Sequence, residues 1–171
     1  MTTREETIRA FLKEAGWEKA ERRPLAGDAS TRRYERLSLS GRPAVLMDWP
    51  SGPDAPVIEG RAAYSRIAHL AEDCRPFVAV GEHLRGLGLA APEIFARDLA
   101  HGLLLLEDLG DHVYGELIEK GEGPAGEPLD DLYRAGMETI LRLQSVPAPA
   151  ALPVGDGTAH ELPRFDDSVF R

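Results

Sequence analysis

A run of four leucines, Leu103–Leu106, divides the pattern of apolar and polar positions along this chain of 171 residues. Gly102 precedes the run, and the polar turn Glu107–Asp111 follows it. A short apolar run bounded in this way predicts a strand that is buried on both faces. The turn after it exposes backbone N–H and C=O groups without a partner strand, so a flat ligand could bind there. The alternative is a plain central strand with its exit turn.

The chain before this strand begins with a helical pattern and continues with strand patterns. Thr3 and Glu6 have the spacing of a helix capping box, and the apolar period after them predicts a helix over residues 4–15. Trp17 is expected to pack beneath that helix. Three runs of strand character follow, one ending at Leu25, one with Tyr34, Leu37 and Leu39, and one at Ala44–Trp49. The short turns between them predict an antiparallel meander.

Residues 50–92 hold a loop and two predicted helices. The Pro- and Gly-rich stretch 50–57 indicates a loop, and residues 59–71 predict a short helix. Pro76 suits the first turn of a longer helix. The buried face of that helix is expected to consist of Phe77, Val80, Leu84 and Leu87. Residues 93–97 predict a fourth strand before the leucine strand, so the fold class is α+β, with five antiparallel strands and one helix between strands three and four.

The region after the acidic turn is helical and ends in an irregular segment. A short helix is predicted around Tyr114–Ile118, and the Gly- and Pro-rich residues 121–128 indicate a flexible loop. The clearest amphipathic helix of the chain follows. Its apolar face consists of Leu129, Leu132, Tyr133, Gly136, Met137, Ile140 and Leu141. Residues 146–158 are rich in Pro, Ala and Gly, and we expect them to be irregular.

Composition narrows the possible function classes. The formal net charge is −9, which argues against a nucleic-acid partner because neutralising phosphates requires an excess of Lys and Arg. Cys74 is the single cysteine, which excludes an internal disulfide and favours a reducing compartment. The sequence has no apolar stretch of transmembrane length, and its acidic N-terminus does not fit a signal peptide. We therefore expect a cytoplasmic protein that binds neither nucleic acid nor a membrane.

Several short motifs in a fixed order make the pattern more specific. They are Gly27–Ser30 with Arg32–Tyr34, then Val45–Asp48, Arg75–Val78, Leu104–Gly110 and Leu162–Asp166. In order and spacing they resemble the aminoglycoside phosphotransferase-like family of kinase-like enzymes. Within that family they are similar to the bacterial sugar kinases that phosphorylate N-acetylmuramic acid and N-acetylglucosamine at the anomeric position during cell-wall recycling. The resemblance covers about residues 5–166.

The resemblance implies a two-lobed enzyme that binds ATP between its lobes, with a small amino sugar as the second substrate. The N-terminal lobe would comprise residues 1–106, the hinge 107–111, and the start of a helical C-terminal lobe 112–171. Adenine would lie against Glu107, Asp108 and Leu109, because its edge presents one hydrogen-bond donor and one acceptor. We expect the Glu107 carbonyl and the Leu109 amide to provide the complementary groups.

The same resemblance assigns the phosphates of ATP to the turn between strands one and two. That turn consists of Gly27, Asp28, Ala29 and Ser30, small residues whose backbone N–H groups can approach phosphate oxygens closely. The alternative, which stays equally open, is a hairpin turn capped by Asp28 or Ser30. Arg32 or Arg33 could make bidentate contacts to phosphate. Because adjacent strand residues point to opposite faces, at least one of these two arginines is expected to face solvent.

The third strand departs from the kinase pattern. Protein kinases hold the ATP phosphates with a strand-three lysine that pairs with a glutamate, whereas this strand has Met47 and Asp48. The resemblance to the sugar kinases includes this pair, so Met47 is a candidate nucleotide contact. Glu82 on the following helix is expected to be exposed, and the usual ion pair therefore cannot be assigned.

A second departure concerns catalysis. Phosphoryl transfer requires an aspartate that orients the acceptor hydroxyl and side chains that bind magnesium. No histidine of the chain is followed by aspartate two positions later, and the chain contains no asparagine. We expect the Mg²⁺ ligands and the catalytic aspartate in a C-terminal lobe supplied in cis or in trans, and we expect the chain alone to be inactive. The alternative is a non-catalytic module that binds a nucleotide or a protein.

Overall fold

A computed structural model describes residues 2–26, 32–52 and 71–164 of the chain. In chain order its elements are α1 (Arg4–Glu14), β1 (Glu21–Pro24), β2 (Arg33–Leu39), β3 (Arg42–Asp48), α2 (Arg75–Gly86), β4 (Ile94–Asp98), β5 (Leu103–Leu106), α3 (Tyr114–Lys120), α4 (Leu129–Gln144), β6 (Ala151–Pro153) and β7 (Ala159–Glu161). The predicted helix over 59–71 falls almost wholly outside the described residues.

Five strands form one antiparallel sheet in the order β1-β2-β3-β5-β4, which confirms the predicted α+β class and the meander. The leucine strand β5 lies between β3 and β4. Leu103 and Leu105 point into a cluster with α1, while Leu104 and Leu106 point into a cluster with α2. All four are buried, so the run is apolar throughout because each face of this strand meets a different helix.

Helix α1 packs on one face of the sheet and follows its sequence prediction closely. Its capping box is present, since Thr3 and Glu6 each accept from the other's backbone N–H. Trp17 is buried beneath the helix, as expected. Arg4 in the first turn of α1 forms an ion pair with Asp48 at the end of β3. This pair joins the start of the helix to the end of the central strand and neutralises a carboxylate that is buried.

Helix α2 packs on the opposite face, and its buried positions differ from the expectation. Pro76 lies in its first turn, as predicted. The fully buried positions are Val78 and Ala79. The four residues expected to form the buried face are only partly covered: Phe77, Val80, Leu84 and Leu87. The prediction of that face was only partly right. Phe77 and Val80 do pack against the core, but the fully buried residues are Val78, on the sheet, and Ala79, on a second element near the C-terminal end.

That second element is a hairpin of β6 and β7, which corrects the expectation of an irregular segment at 146–158. The two strands pair antiparallel, and the Val154 amide donates to the Thr158 carbonyl at 3.0 Å. Leu152 and Val154 are buried against Ala79 of α2. The strands are only three residues long, so the period-2 pattern is too short to stand out among prolines and glycines.

Ion pairs and hydrogen bonds also attach this hairpin to α2 and to β4. Arg75 Nε lies 3.1 Å from Asp156 Oδ2, and Arg75 also contacts Asp73 at 3.1 Å. Arg97 on β4 donates to the Val154 carbonyl at 3.2 Å and to Glu82 at 2.9 Å. The chain that leaves the sheet after β5 therefore returns to it at the hairpin.

Acidification should loosen the hairpin between about pH 4 and pH 2. Donation from the Thr158 hydroxyl and amide, and then from Arg75, lowers the pKa of Asp156 from 3.8 to about 2. Because the folded pKa lies below the unfolded one, the contribution to stability is present above pH 3.8 and is lost as pH falls through about 2. Hydrogen exchange of the Val154 amide, corrected for intrinsic rate, should therefore accelerate over this range.

Asp156→Asn is the matched variant for this experiment. It removes the titrating carboxylate, so the acceleration at the Val154 amide should already be present near neutral pH and should show little further dependence between pH 4 and 2. An unchanged pH profile in Asp156→Asn would show that another group controls the hairpin.

Most apolar side chains of the two helices after the sheet are exposed, although Leu117 of α3 is buried. The Tyr114 hydroxyl of α3 donates to the Leu132 carbonyl of α4 at 3.0 Å, which holds the two helices together. No residue of α4 is buried. Its largest exposed apolar side chains are Tyr133, Met137, Ile140, Leu141 and Leu143. This exposed face agrees with the amphipathic pattern and with the expectation that another part of the protein covers it. Among the described helices, none has the length and apolarity needed to cross a membrane.

Candidate functional site

The turn that follows β5 leaves backbone acceptors and donors available. The Glu107 amide donates to the Glu93 carbonyl at 2.8 Å, and the Glu107 carboxylate accepts from the Glu93 amide at 3.0 Å. The Asp108 carboxylate accepts from the Gly110 amide at 2.9 Å. Within the described ranges, the Glu107 carbonyl and the Leu109 amide take part in no backbone hydrogen bond. These are the two groups that the family resemblance predicts to face the edge of adenine, and that role stays a prediction.

Arg36 on β2 holds this turn, and the sequence analysis did not identify it. Its guanidinium contacts both carboxylate oxygens of Asp111 at 2.8 Å, and its Nε lies 2.7 Å from Asp108 Oδ2. The Asp108 side chain is 8% exposed, whereas that of Asp111 is 77% exposed. Donation from Arg36 lowers the pKa of Asp111, and these carboxylates, Asp111 first, raise the pKa of Arg36. Asp111 is therefore held as a carboxylate.

Two sequence features could have indicated this contact. Leu37 points to the α1 face of the sheet, so alternation places Arg36 on the α2 face. A cation on that face of a half-buried strand requires an anionic partner, and Asp108 and Asp111 are the acidic pair in the exit turn. Neither feature gives the strand register, which decides whether the two parts meet.

Arg32 lies on the same side of the sheet, while the turn before it is not described. The Arg32 guanidinium lies 5.0 Å from the centroid of the Trp49 ring, a cation–π distance. Arg33 is exposed, which agrees with the expectation that one of the two arginines faces solvent. The predicted phosphate turn, Gly27, Asp28, Ala29 and Ser30, lies outside the described residues, and its role stays a prediction.

Strand β3 presents an apolar side chain where protein kinases have lysine. Met47 is fully buried among Trp49, Cys74 and Leu104 on the α2 face. Asp48 pairs with Arg4 of α1 on the opposite face. As described, the structure gives Met47 no exposed surface toward a ligand, and its proposed contact with the nucleotide stays a prediction.

Glu82 does not take the place of the missing ion pair. It is exposed, as expected, and pairs with Arg97 on β4 at 2.9 Å. Across the described ranges, no three His, Cys, Asp or Glu side chains come together as possible cation ligands. The described residues thus offer groups for the base of a nucleotide. They do not fit the Mg²⁺ expected with it, whose ligands stay a prediction for the rest of the protein.

Comparison with known proteins supports the same family as the motifs. The phosphotransferase enzyme family matches residues 21–168. An N-acetylmuramate/N-acetylglucosamine kinase from Caulobacter vibrioides is 39% identical over an alignment that covers 98% of this chain and 47% of the relative. The kinase of that name from Pseudomonas aeruginosa is 34% identical, with 86% and 37% covered, and that from Pseudomonas putida is 31% identical, with 85% and 33% covered.

The chain therefore spans half or less of the length of these relatives. Their alignments include the leucine strand, the exit turn and the helix that follows, because they cover at least 85% of the chain. Since the family match extends from β1 to beyond the hairpin, the chain belongs to the phosphotransferase enzyme family.

Proposed function

We propose that this chain is the nucleotide-binding N-terminal part of an ATP-dependent kinase that phosphorylates a small amino sugar. The observation that carries the proposal is the pair of free backbone groups at Glu107 and Leu109. A carbonyl and an amide two residues apart complement the donor and acceptor on the edge of adenine. The buried strand β5 fixes their position from one side, and Asp108 fixes it from the other.

The phosphates of ATP would extend from the hinge toward the turn at Gly27–Ser30 and toward Arg32. The stacking of Arg32 on Trp49 supports this direction, because it holds a guanidinium on the α2 face of the sheet. Arginine binds phosphate oxygens through a bidentate fork. In this chain it would supply part of the charge that a strand-three lysine supplies in protein kinases.

The catalytic groups would belong to the rest of the protein. Phosphoryl transfer depends on positioning and on charge stabilisation by Mg²⁺, together with an aspartate that orients the attacking hydroxyl. The exposed apolar face of α4 and the greater length of the relatives support a second half that packs there. We propose the amino sugar because the relatives are kinases of N-acetylmuramate and N-acetylglucosamine.

Titration of ATP into the purified chain tests nucleotide binding directly. We expect calorimetric binding without any transfer of phosphate to either sugar. Leu109→Pro removes the amide that would donate to adenine, and the loss of one hydrogen bond should weaken ATP binding about 10-fold. Leu109→Ala keeps the amide and should bind as the unsubstituted chain does, because the Leu109 side chain is exposed. Equal affinities of the two variants would contradict binding at this hinge.

A chimera tests the complete reaction. Residues 1–171 would replace the aligned N-terminal part of the Caulobacter vibrioides kinase, to which they are 39% identical. We expect the chimera to phosphorylate N-acetylmuramate or N-acetylglucosamine with ATP. A chimera that folds and binds ATP without turnover would instead favour a non-catalytic nucleotide-binding module.

A further inference from the structure

We propose that Arg36 is a positioning residue that fixes the hinge and thereby makes this site prefer adenine over guanine. This inference rests on the proposed function, since it concerns the base that the hinge accepts. Arg36 is two strands away from the hinge in the sheet, and it does not belong to any of the motifs that define the resemblance.

Strand register brings Arg36 to the hinge. Arg36 is paired with Val45 on β3, and Val45 is paired with Leu106, the last residue of β5. The three residues form a row across the sheet on the α2 face, one residue before the turn begins. A long side chain on β2 can therefore extend along this row and reach Asp108 and Asp111, as its ion pairs show.

Burial and charge indicate that Arg36 holds the turn in place through Asp108 and Asp111, an arrangement that we call the clamp. Asp108 is almost covered, and a buried carboxylate is retained only with charged or hydrogen-bonding partners. Its partners are the Arg36 guanidinium and the Gly110 amide. Arg36 also donates two parallel hydrogen bonds to the Asp111 carboxylate, so the turn is held near its start at Asp108 and at its end at Asp111.

The clamp fixes the order of free groups along the turn. Asp108 accepts from the Gly110 amide, which removes that donor from the ligand side. Among the backbone groups of the turn that stay without a hydrogen bond, Glu107 presents an acceptor and Leu109, two residues later, presents a donor. Adenine presents the N6 amino donor and the N1 acceptor to such a pair, whereas guanine presents the O6 acceptor and the N1–H donor in the reverse order. A rigid turn that keeps this pair toward the ligand therefore favours adenine, while a loose turn can rotate its peptides to accept either base.

Two substitutions of Arg36 and one control test this role. Arg36→Gln removes the charge, and Arg36→Lys keeps the charge but loses the planar fork. The control is Arg22→Gln, because Arg22 on β1 is also paired with two carboxylates, those of Glu5 and Glu35, but lies beside α1. The measured quantities are the dissociation constants of ATP and GTP for the 171-residue chain.

We expect Arg36→Gln to weaken ATP binding about 10-fold and to leave GTP binding nearly unchanged, so that the ratio of the two constants falls about 10-fold. The ratio for Arg36→Lys should lie between those of the unsubstituted chain and Arg36→Gln. Arg22→Gln should leave the ratio unaltered even if it lowers stability. An unsubstituted chain that binds ATP, with the same ratio in Arg36→Gln, overturns this inference and leaves the proposed function standing. An unsubstituted chain that binds no ATP overturns the proposed function, and the base preference with it.

A second measurement keeps the test valid if Arg36→Gln folds poorly. Asp111→Asn changes an exposed side chain and removes one partner of Arg36. In the ligand-free chain, hydrogen exchange at the Gly110 amide should be several-fold faster in Asp111→Asn and unchanged in Arg22→Gln. Unchanged exchange at Gly110 in Asp111→Asn would overturn the clamp.

Discussion

Gly102→Ala should abolish stable folding of this chain. Gly102 has φ +66°, and a Cβ built there would lie 1.9 Å from the Trp49 carbonyl oxygen and 2.8 Å from its carbon. Both contacts are to backbone, so no side-chain rotation relieves them. The two residues are also joined by a hydrogen bond of 2.8 Å from the Trp49 amide to the Gly102 carbonyl. Separating them would break the start of the pairing between β3 and β5, the two strands that carry most of the core.

The expected loss is more than about 4 kcal/mol, which places this substitution among the exceptional ones and is comparable with the whole stability of many domains. Gly41→Ala is the matched control. Gly41 has φ +81° with nothing within 4 Å of a built Cβ, so it isolates the cost of the left-handed backbone, about 1 kcal/mol. Urea unfolding followed by circular dichroism measures both. Losses within 0.5 kcal/mol of each other, about the usual effect of a neutral surface change, would show that the close approach at Trp49 is relaxed in solution.

The sheet was predictable because its strongest signal is local. Four consecutive leucines before an acidic turn require a strand with two covered faces, and the structure gives each face its own helix. The capping box of α1 and the proline of α2 are likewise local, since each depends on residues within one helical turn. The unbonded backbone groups of the turn after β5 likewise follow from where that strand ends.

What the sequence could not indicate depends on contacts between distant segments. Ala79 is buried only because a hairpin some 70 residues later packs on it, and Arg36 meets the turn after β5 only through the register of three strands. Periodicity describes one face of one element, so it misses a second neighbour. Strand β3, which lacks the kinase lysine, shows the same limit. Its Asp48 pairs with Arg4 of α1, 44 residues away, and the pattern of a single strand cannot indicate such a partner.

Polar substitutions on the apolar face of α4 should leave the stability of this chain nearly unchanged but destabilise the complete protein. Met137 and Ile140 are 64% and 56% exposed. In the 171-residue chain, Met137→Gln and Ile140→Gln together should change stability by no more than about 0.5 kcal/mol, as surface changes do. They should also reduce self-association, because they break up an exposed apolar patch.

In a complete protein whose second half covers α4, the same two side chains would be buried. Each substitution should then cost about 2–3 kcal/mol, since burying one large apolar side chain contributes about that much and the amide adds a polar group without a partner. Glu138→Gln is the control, because Glu138 lies on the opposite, charged face of the helix beside Arg134. It should be neutral in both proteins. Thermal unfolding and analytical ultracentrifugation of the chain and of the Caulobacter chimera measure the two effects. If the substitutions were also neutral in the chimera, α4 would not be the surface on which the second half packs, and the apolar face would have to serve another partner.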